Sequence, residues 1–102
     1  MAPSIDEVRV KLEETAGPVL GSDLGAHLRR DAVIIVAPSA SLLDCAVAIA
    51  VDDASSVAAW LATGTLRRPT EEERAAWPVD EHRSWMAVVV QPFVVVQELT
   101  LD

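Results

Sequence analysis

The sequence predicts an α+β fold: a small, mostly antiparallel sheet, made of a β-hairpin and a long bent C-terminal strand, covered by about four helices in the order α-α-β-β-α-α-β. Three observations lead there. Helix-capping patterns stand at Ser4 and Thr70, larger apolar residues alternate with smaller ones between Leu43 and Asp52, and the stretch Trp85 to Leu99 (WMAVVVQPFVVVQEL) holds nearly all the strong strand-forming sequence. The chain has 102 residues, which suits a single domain spanning 1–102.

Ser4 followed by Glu7 forms a capping box, and Ile5, Val8, Leu12 and Ala16 then recur at helical spacing, so a first helix is expected from Ser4 to Ala16. Gly17-Pro18 ends it. Ser22 or Asp23 can cap a short second helix with Leu24 and Leu28 on one face. Ala32 to Ala37 (AVIIVA) is short, β-branched and bounded by Asp31 and Pro38, which predicts a buried strand, with Pro38 to Ser41 as a turn. From Leu43 to Asp52 the larger residues Leu43, Cys45, Val47, Ile49 and Val51 alternate with Asp44, Ala46, Ala48, Ala50 and Asp52. Period two predicts a second strand here.

Asp52 or Asp53 can cap a third helix in which Val57, Trp60 and Leu61 lie together, with Gly64 placed for its left-handed C-terminal cap. Thr65 to Arg68 reads as a short edge strand. Thr70 and Glu73 make a second capping box, for a helix stopped by Pro78.

The C-terminal stretch contains a conflict. As one unbroken strand, Trp85 to Gln97 is apolar on both faces, as in a central strand, yet Pro92 has no N–H for the ladder. A tight hairpin with Gln91-Pro92 as its loop is disfavoured, because primed turns need positive φ and proline fixes φ near −65°. A cis bond would rescue the hairpin but is uncommon, at about 5–6% of X–Pro bonds. Thirteen extended residues span roughly 43 Å, whereas a compact domain of this length is about 33 Å across. The expectation is therefore a strand bent or bulged at Gln91-Pro92.

Composition narrows the function classes. Sixteen acidic residues against eight basic ones leave a net charge of −8, which disfavours nucleic acid and anionic membrane as partners. No apolar run approaches the length of a membrane span, and the segment MAPSIDEVRVK lacks the basic and apolar regions of a secretory signal, so a cytoplasmic protein is expected. Cys45, the single cysteine, excludes an intramolecular disulfide and a cysteine-based zinc site. With only 4 glycines and no glycine-rich loop, nucleotide binding through a P-loop or Rossmann fingerprint is excluded, and no cofactor is expected.

Each chemically suggestive residue has a plainer account. His82, beside Asp80, Glu81 and Arg83, suits a general base or a metal ligand, but the spacing matches no metal motif and a solvated loop explains the cluster. His27 reads as a boundary residue of a short helix. Cys45 falls on the larger apolar face and reads as a buried, inert thiol. Ser39 and Ser41 lack a nucleophile-elbow context and read as turn residues. Asp52 and Asp53 are accounted for by helix capping. Trp60, Trp77 and Trp85 read as core or subunit packing rather than an aromatic ligand platform.

Glu14-Thr15-Ala16, Asp23-Leu24, Asp52-Asp53 followed by Val57 and Trp60-Leu61, and the closing Trp85 with Val88-Val89-Val90-Gln91-Pro92-Phe93-Val94-Val95-Val96-Gln97 together resemble a bacterial family of short proteins classed as domain of unknown function 2288. The resemblance implies a bacterial cytosolic protein and brings no catalytic residue or cofactor.

The leading functional expectation is a non-enzymatic interaction or structural protein. Its partner is itself, as a homo-oligomer, or another protein, and the candidate surface is Trp85, Gln91, Pro92, Phe93 and Gln97. The alternatives are a small-ligand or metal-dependent enzyme using Asp52, Asp53, Asp80 and His82, and an acidic chaperone-like adaptor for a basic partner.

Overall fold

A computed structural model describes residues 4–99 of the chain. Its helices are α1 (Ile5–Thr15), α2 (Gly25–Arg29), α3 (Leu42–Ala50), α4 (Ala54–Thr63) and α5 (Glu71–Ala76). Its strands are β1 (Gly17–Leu20), β2 (Val33–Val36), β3 (Leu66–Arg67), β4 (Ser84–Val90) and β5 (Phe93–Glu98), and single 3-10 turns stand at Gly21–Leu24 and Trp77–Val79. The strands form one mixed sheet in the order β1-β4-β5-β2-β3. All neighbours run antiparallel except β2 and β5, which are parallel.

The expected bent strand is a hairpin. Gln91-Pro92 is a cis peptide, and the chain reverses there, so that Val90 faces Phe93 and Trp85 faces Glu98. A cis proline turns the chain without the positive φ angles that a primed turn demands, which removes the objection to a two-residue loop. The reversal also changes which residues share a face. Val94 and Val96 join Trp85 and Ala87, while Phe93, Val95 and Gln97 join Met86, Val88 and Val90. Both faces are apolar because both strands are central, and each face carries its own core.

On one face Val88, Val90 and Val95 pack with Val36, Leu66 and the buried side of α3, flanked by Leu12 and Ala16 from the end of α1 and by Val57 and Trp60 of α4. On the other, Trp85, Ala87, Val94 and Val96 pack with Val33 and Ile35 of β2, Leu24, Leu28 of α2, and Trp77. The Trp77 and Trp85 rings meet at 4.4 Å between centroids, tilted by 49°. Helices therefore cover the sheet on both sides.

The expected second strand, Leu43 to Asp52, is the helix α3. Ser41 caps it by accepting a hydrogen bond from the Asp44 N–H at 3.2 Å. Leu42, Cys45, Ala46 and Ile49 then face the sheet at helical spacing. The alternation of large and small residues was coincident with a helical pattern, and Ala46, fully buried in the core on that face, lets the helix lie close to the strands.

A strand absent from the sequence reading is β1. Gly17-Pro18 ends α1 as expected, and the chain then pairs with β4 at the sheet edge. Gly21 N–H donates to Arg83 O, so in the alternating ladder Val19 faces β4 while Pro18 and Leu20 face outward. Pro18 has no N–H to offer. The Leu20 N–H is taken by Asp23 Oδ2 at 2.9 Å. The outer edge of β1 thus presents no free donor to an incoming strand.

Several local expectations hold. The Ser4 hydroxyl accepts from Glu7 N–H at 3.2 Å, although the reciprocal half of that box does not form. Asp53 caps α4, Gly64 ends it at φ 80°, β3 lies at the other edge of the sheet, and Thr70 with Glu73 forms both halves of a capping box.

Glu73 also receives Arg67 in a two-pronged pair at 2.7 and 3.0 Å, which fastens β3 to α5. The Arg67 guanidinium, helped by the Thr70 N–H, holds the Glu73 carboxyl down to about 2 against a usual 4.5. Because the folded value is depressed, this pair stabilises the fold fully above about pH 4.5, and the contribution is lost as the pH falls toward 2. Acid titration of the melting temperature should show Glu73→Gln flattening the curve in that window. The expected difference is about 1 kcal/mol, since Arg67 is half-exposed and solvent screens it.

Close approach rather than backbone conformation dictates Gly21. A Cβ there would lie 2.8 Å from Trp77 O, where the two 3-10 turns meet. Gly21→Ala should cost about 2 kcal/mol and lower the melting temperature by about 10 °C. Gly17→Ala, with nothing within 4 Å of the added carbon, should leave it nearly unchanged.

Candidate functional site

Helix α4 is apolar through its middle, Val57-Ala58-Ala59-Trp60-Leu61, yet none of its residues is fully buried. It packs against α3 and β3, and between these elements and the hairpin turn lies a groove of about 410 Å³. Ile34, Ile49, Val57, Leu61, Leu66 and Phe93 supply most of its apolar lining. Leu61 is 51% exposed at its border. The volume and the apolar lining are those of a site for a small ligand or for a few side chains of a partner.

Four charged residues line the same groove: Asp52 and Asp53 from the α3–α4 junction, and Arg67 and Arg68 from the end of β3. Three are engaged. Arg67 holds Glu73. Arg68 donates to Asp31 O at 2.6 Å and lies 5.8 Å from the centre of the Phe93 ring. Asp53 accepts from the Ser56 N–H and hydroxyl, and these bonds hold its carboxyl below the usual range.

Asp52 makes no side-chain hydrogen bond or ion pair among the described residues. Its backbone closes α3 in a Schellman arrangement, with Asp52 N–H to Ile49 O at 3.2 Å and Asp53 N–H to Ala48 O at 2.8 Å. This places Asp52 at φ 60°, a left-handed position that glycine occupies most easily. The one charge left uncommitted at the groove is therefore negative.

The residues expected to form an interaction surface are dispersed. Trp85 is 2% exposed and faces the side of the sheet opposite Phe93. The Gln97 amide donates to Ala37 O at 2.8 Å and Ala40 O at 2.7 Å, tying β5 to the turn before α3. Gln91 and Pro92 are exposed at the hairpin turn, and Phe93 is half-buried in the groove.

The acidic pairs expected to cooperate lie apart. Asp80 accepts from the N–H groups of His82 and Arg83 at 2.8 and 2.9 Å, which folds the loop before β4 and keeps its carboxyl below the usual range. His82 borders a separate surface depression beside Pro18 and Leu99, away from Asp52 and Asp53. Among the described residues no three His, Cys, Asp or Glu side chains gather in a way that could hold a metal. Cys45 is buried, and that burial, with Asp44 nearby, pushes its thiol up. His27 is half-buried, with Nδ1 2.6 Å from Arg30 Nη2. Trp60 flanks the core on one face while Trp77 and Trp85 fill the other, so the three rings share no platform.

The groove residues Ile34, Ile49 and Leu66 were not singled out from the sequence, because a groove wall comes from elements distant in the chain. The signal that was present is α4 itself, where Val57 and Leu61 stand one turn apart with Ala58 between.

Among the described residues no helix is long and apolar enough to cross a membrane. No curated protein matches the chain. It is similar to a solved protein, PA1075 from Pseudomonas aeruginosa, determined in solution by NMR, with 30% identity and a TM-score of 0.75 over 100% of this chain and 97% of that one. The model of the family described as "Protein of unknown function (DUF2288)" matches residues 7–98, and the chain belongs to that family.

Proposed function

We propose that this protein is a cytoplasmic, non-enzymatic interaction domain, and that the groove between α3, α4 and Phe93 receives an amphipathic segment of a partner protein carrying aliphatic side chains and at least one lysine or arginine. The observation that carries this reading is the unburied apolar side of α4 standing over an apolar groove whose uncommitted charge is Asp52. A partner's aliphatic side chains would give α4 the burial it lacks within the chain, and its cation would meet Asp52. The net charge of −8 favours a basic partner over a second copy of the same acidic chain. Strand pairing between copies has little support: β4 and β5 are central, β1 offers no free donor on its outer edge, and β3 is only two residues long.

The test uses two short peptides, one alternating leucine with lysine and one alternating leucine with glutamate, titrated into the 15N-labelled chain. The lysine peptide should shift the amides of Ile49 to Leu61, Leu66 to Arg68 and Phe93, and the glutamate peptide should not. Leu61→Lys should weaken the lysine peptide at least about tenfold by placing a like charge on apolar surface. Asp52→Gly should weaken it about two- to fivefold while keeping or raising the melting temperature, because glycine relieves the left-handed position. Equal binding of both peptides, or shifts confined to the α2 and α5 side of the sheet, would overturn the reading.

A further inference from the structure

At the carboxyl ends of the parallel strands β2 and β5, on the Trp85 side of the sheet, there is a second and smaller cavity of about 180 Å³. Carboxyl ends of parallel strands are where open α/β sheets collect their ligands. Arg67, Arg83, Trp85 and Glu98 all line it. Both guanidiniums are held from outside the cavity or along one side: Arg67 by Glu73, and Arg83 through its Nε to Glu98 at 2.6 Å. Arg83 lies over the two tryptophan rings, 5.4 Å from the centre of Trp85 and 5.9 Å from that of Trp77. Its terminal Nη groups donate no hydrogen bond among the described residues.

The second observation is independent of the arginines. Trp85 is 2% exposed, and its indole Nε1 is buried with no acceptor. A buried N–H left unpaired costs about 1–3 kcal/mol, and the Trp85 Nε1 is the one buried side-chain polar atom among the described residues in that state. An arginine with free terminal donors and a tryptophan with an unpaired indole N–H therefore line one small cavity, with the Arg67 side chain on the same wall.

We propose that this cavity binds a small oxyanion, a carboxylate or phosphate group of a few heavy atoms, which accepts hydrogen bonds from the Arg83 Nη groups and from the Trp85 indole N–H. Arginine's planar fork suits two oxygens of such a group. Glu98 is its internal competitor, since it holds the same guanidinium.

Inorganic phosphate and, separately, acetate are titrated into the 15N-labelled full chain at constant ionic strength, and the indole N–H signals of the three tryptophans are followed. The Trp85 signal should move and saturate with at least one of the two anions, the Trp60 signal should stay, and the anion that binds tighter identifies the headgroup. Glu98→Gln should tighten binding severalfold by freeing Arg83, and Arg83→Gln should weaken it at least about tenfold. A Trp85 signal that stays fixed with both anions, or drifts without saturating, overturns the proposal. Should Arg83→Gln lose the native fold through its contact with the tryptophans, Glu98→Gln decides alone, and an affinity unchanged or weakened in that variant overturns it.

Discussion

The pairing of Trp85–Val90 with Phe93–Glu98 is the contact around which the other elements are arranged. Six valines in two adjacent central strands, with one more residue of each strand pair turned to either face, make both sides of the ribbon apolar. Such a ribbon cannot lie at the edge of a sheet or leave one face to water, because the exposed valines would lose their burial. β1 and β2 therefore flank it, and a helical layer covers each face.

The two layers are built differently. One relies on α3, whose alanines allow close packing, and on α1 laid across it, with Arg9 reaching Asp44 at 2.7 Å. The other relies on bulk: a tryptophan pair fills the space that two short helical pieces and α5 leave open. Polar anchors hold that second layer in place, with Arg74 donating to Leu28 O at 2.8 Å and Arg67 to Glu73. The site follows from the same layout. α4 packs on α3 and on the two-residue β3, so while Val57 and Trp60 flank the core, part of its apolar side borders the groove.

The groove and the centre of the sheet draw on different parts of the chain. The C-terminal stretch, the most distinctive part of the sequence, supplies the two central strands, and of its described residues Phe93 is the one that lines the groove. The groove's other walls come from β2, α3, α4 and β3, which individually look unremarkable. The sheet edges offer little to an incoming strand: Pro18 and Asp23 leave no free outward donor at one side, and β3 is only two residues long at the other.

By itself the sequence determined what depends on neighbours within a turn or two: α1, α4 and α5 from their caps, β2 from its β-branched run, the left-handed Gly64, and the buried thiol of Cys45. Only the tertiary structure decided that Leu42 to Ala50 is a helix, since alternating size and helical spacing coexist in those residues and the choice rests on which surface they meet. It alone decided that Gln91-Pro92 closes a hairpin and that Gly17–Leu20 becomes a strand, because each depends on a partner strand supplied from elsewhere. The same holds for the site. Asp52 was legible as a residue near a helix end, but its place beside Leu61, Leu66 and Phe93 depends on long-range packing that no local pattern records.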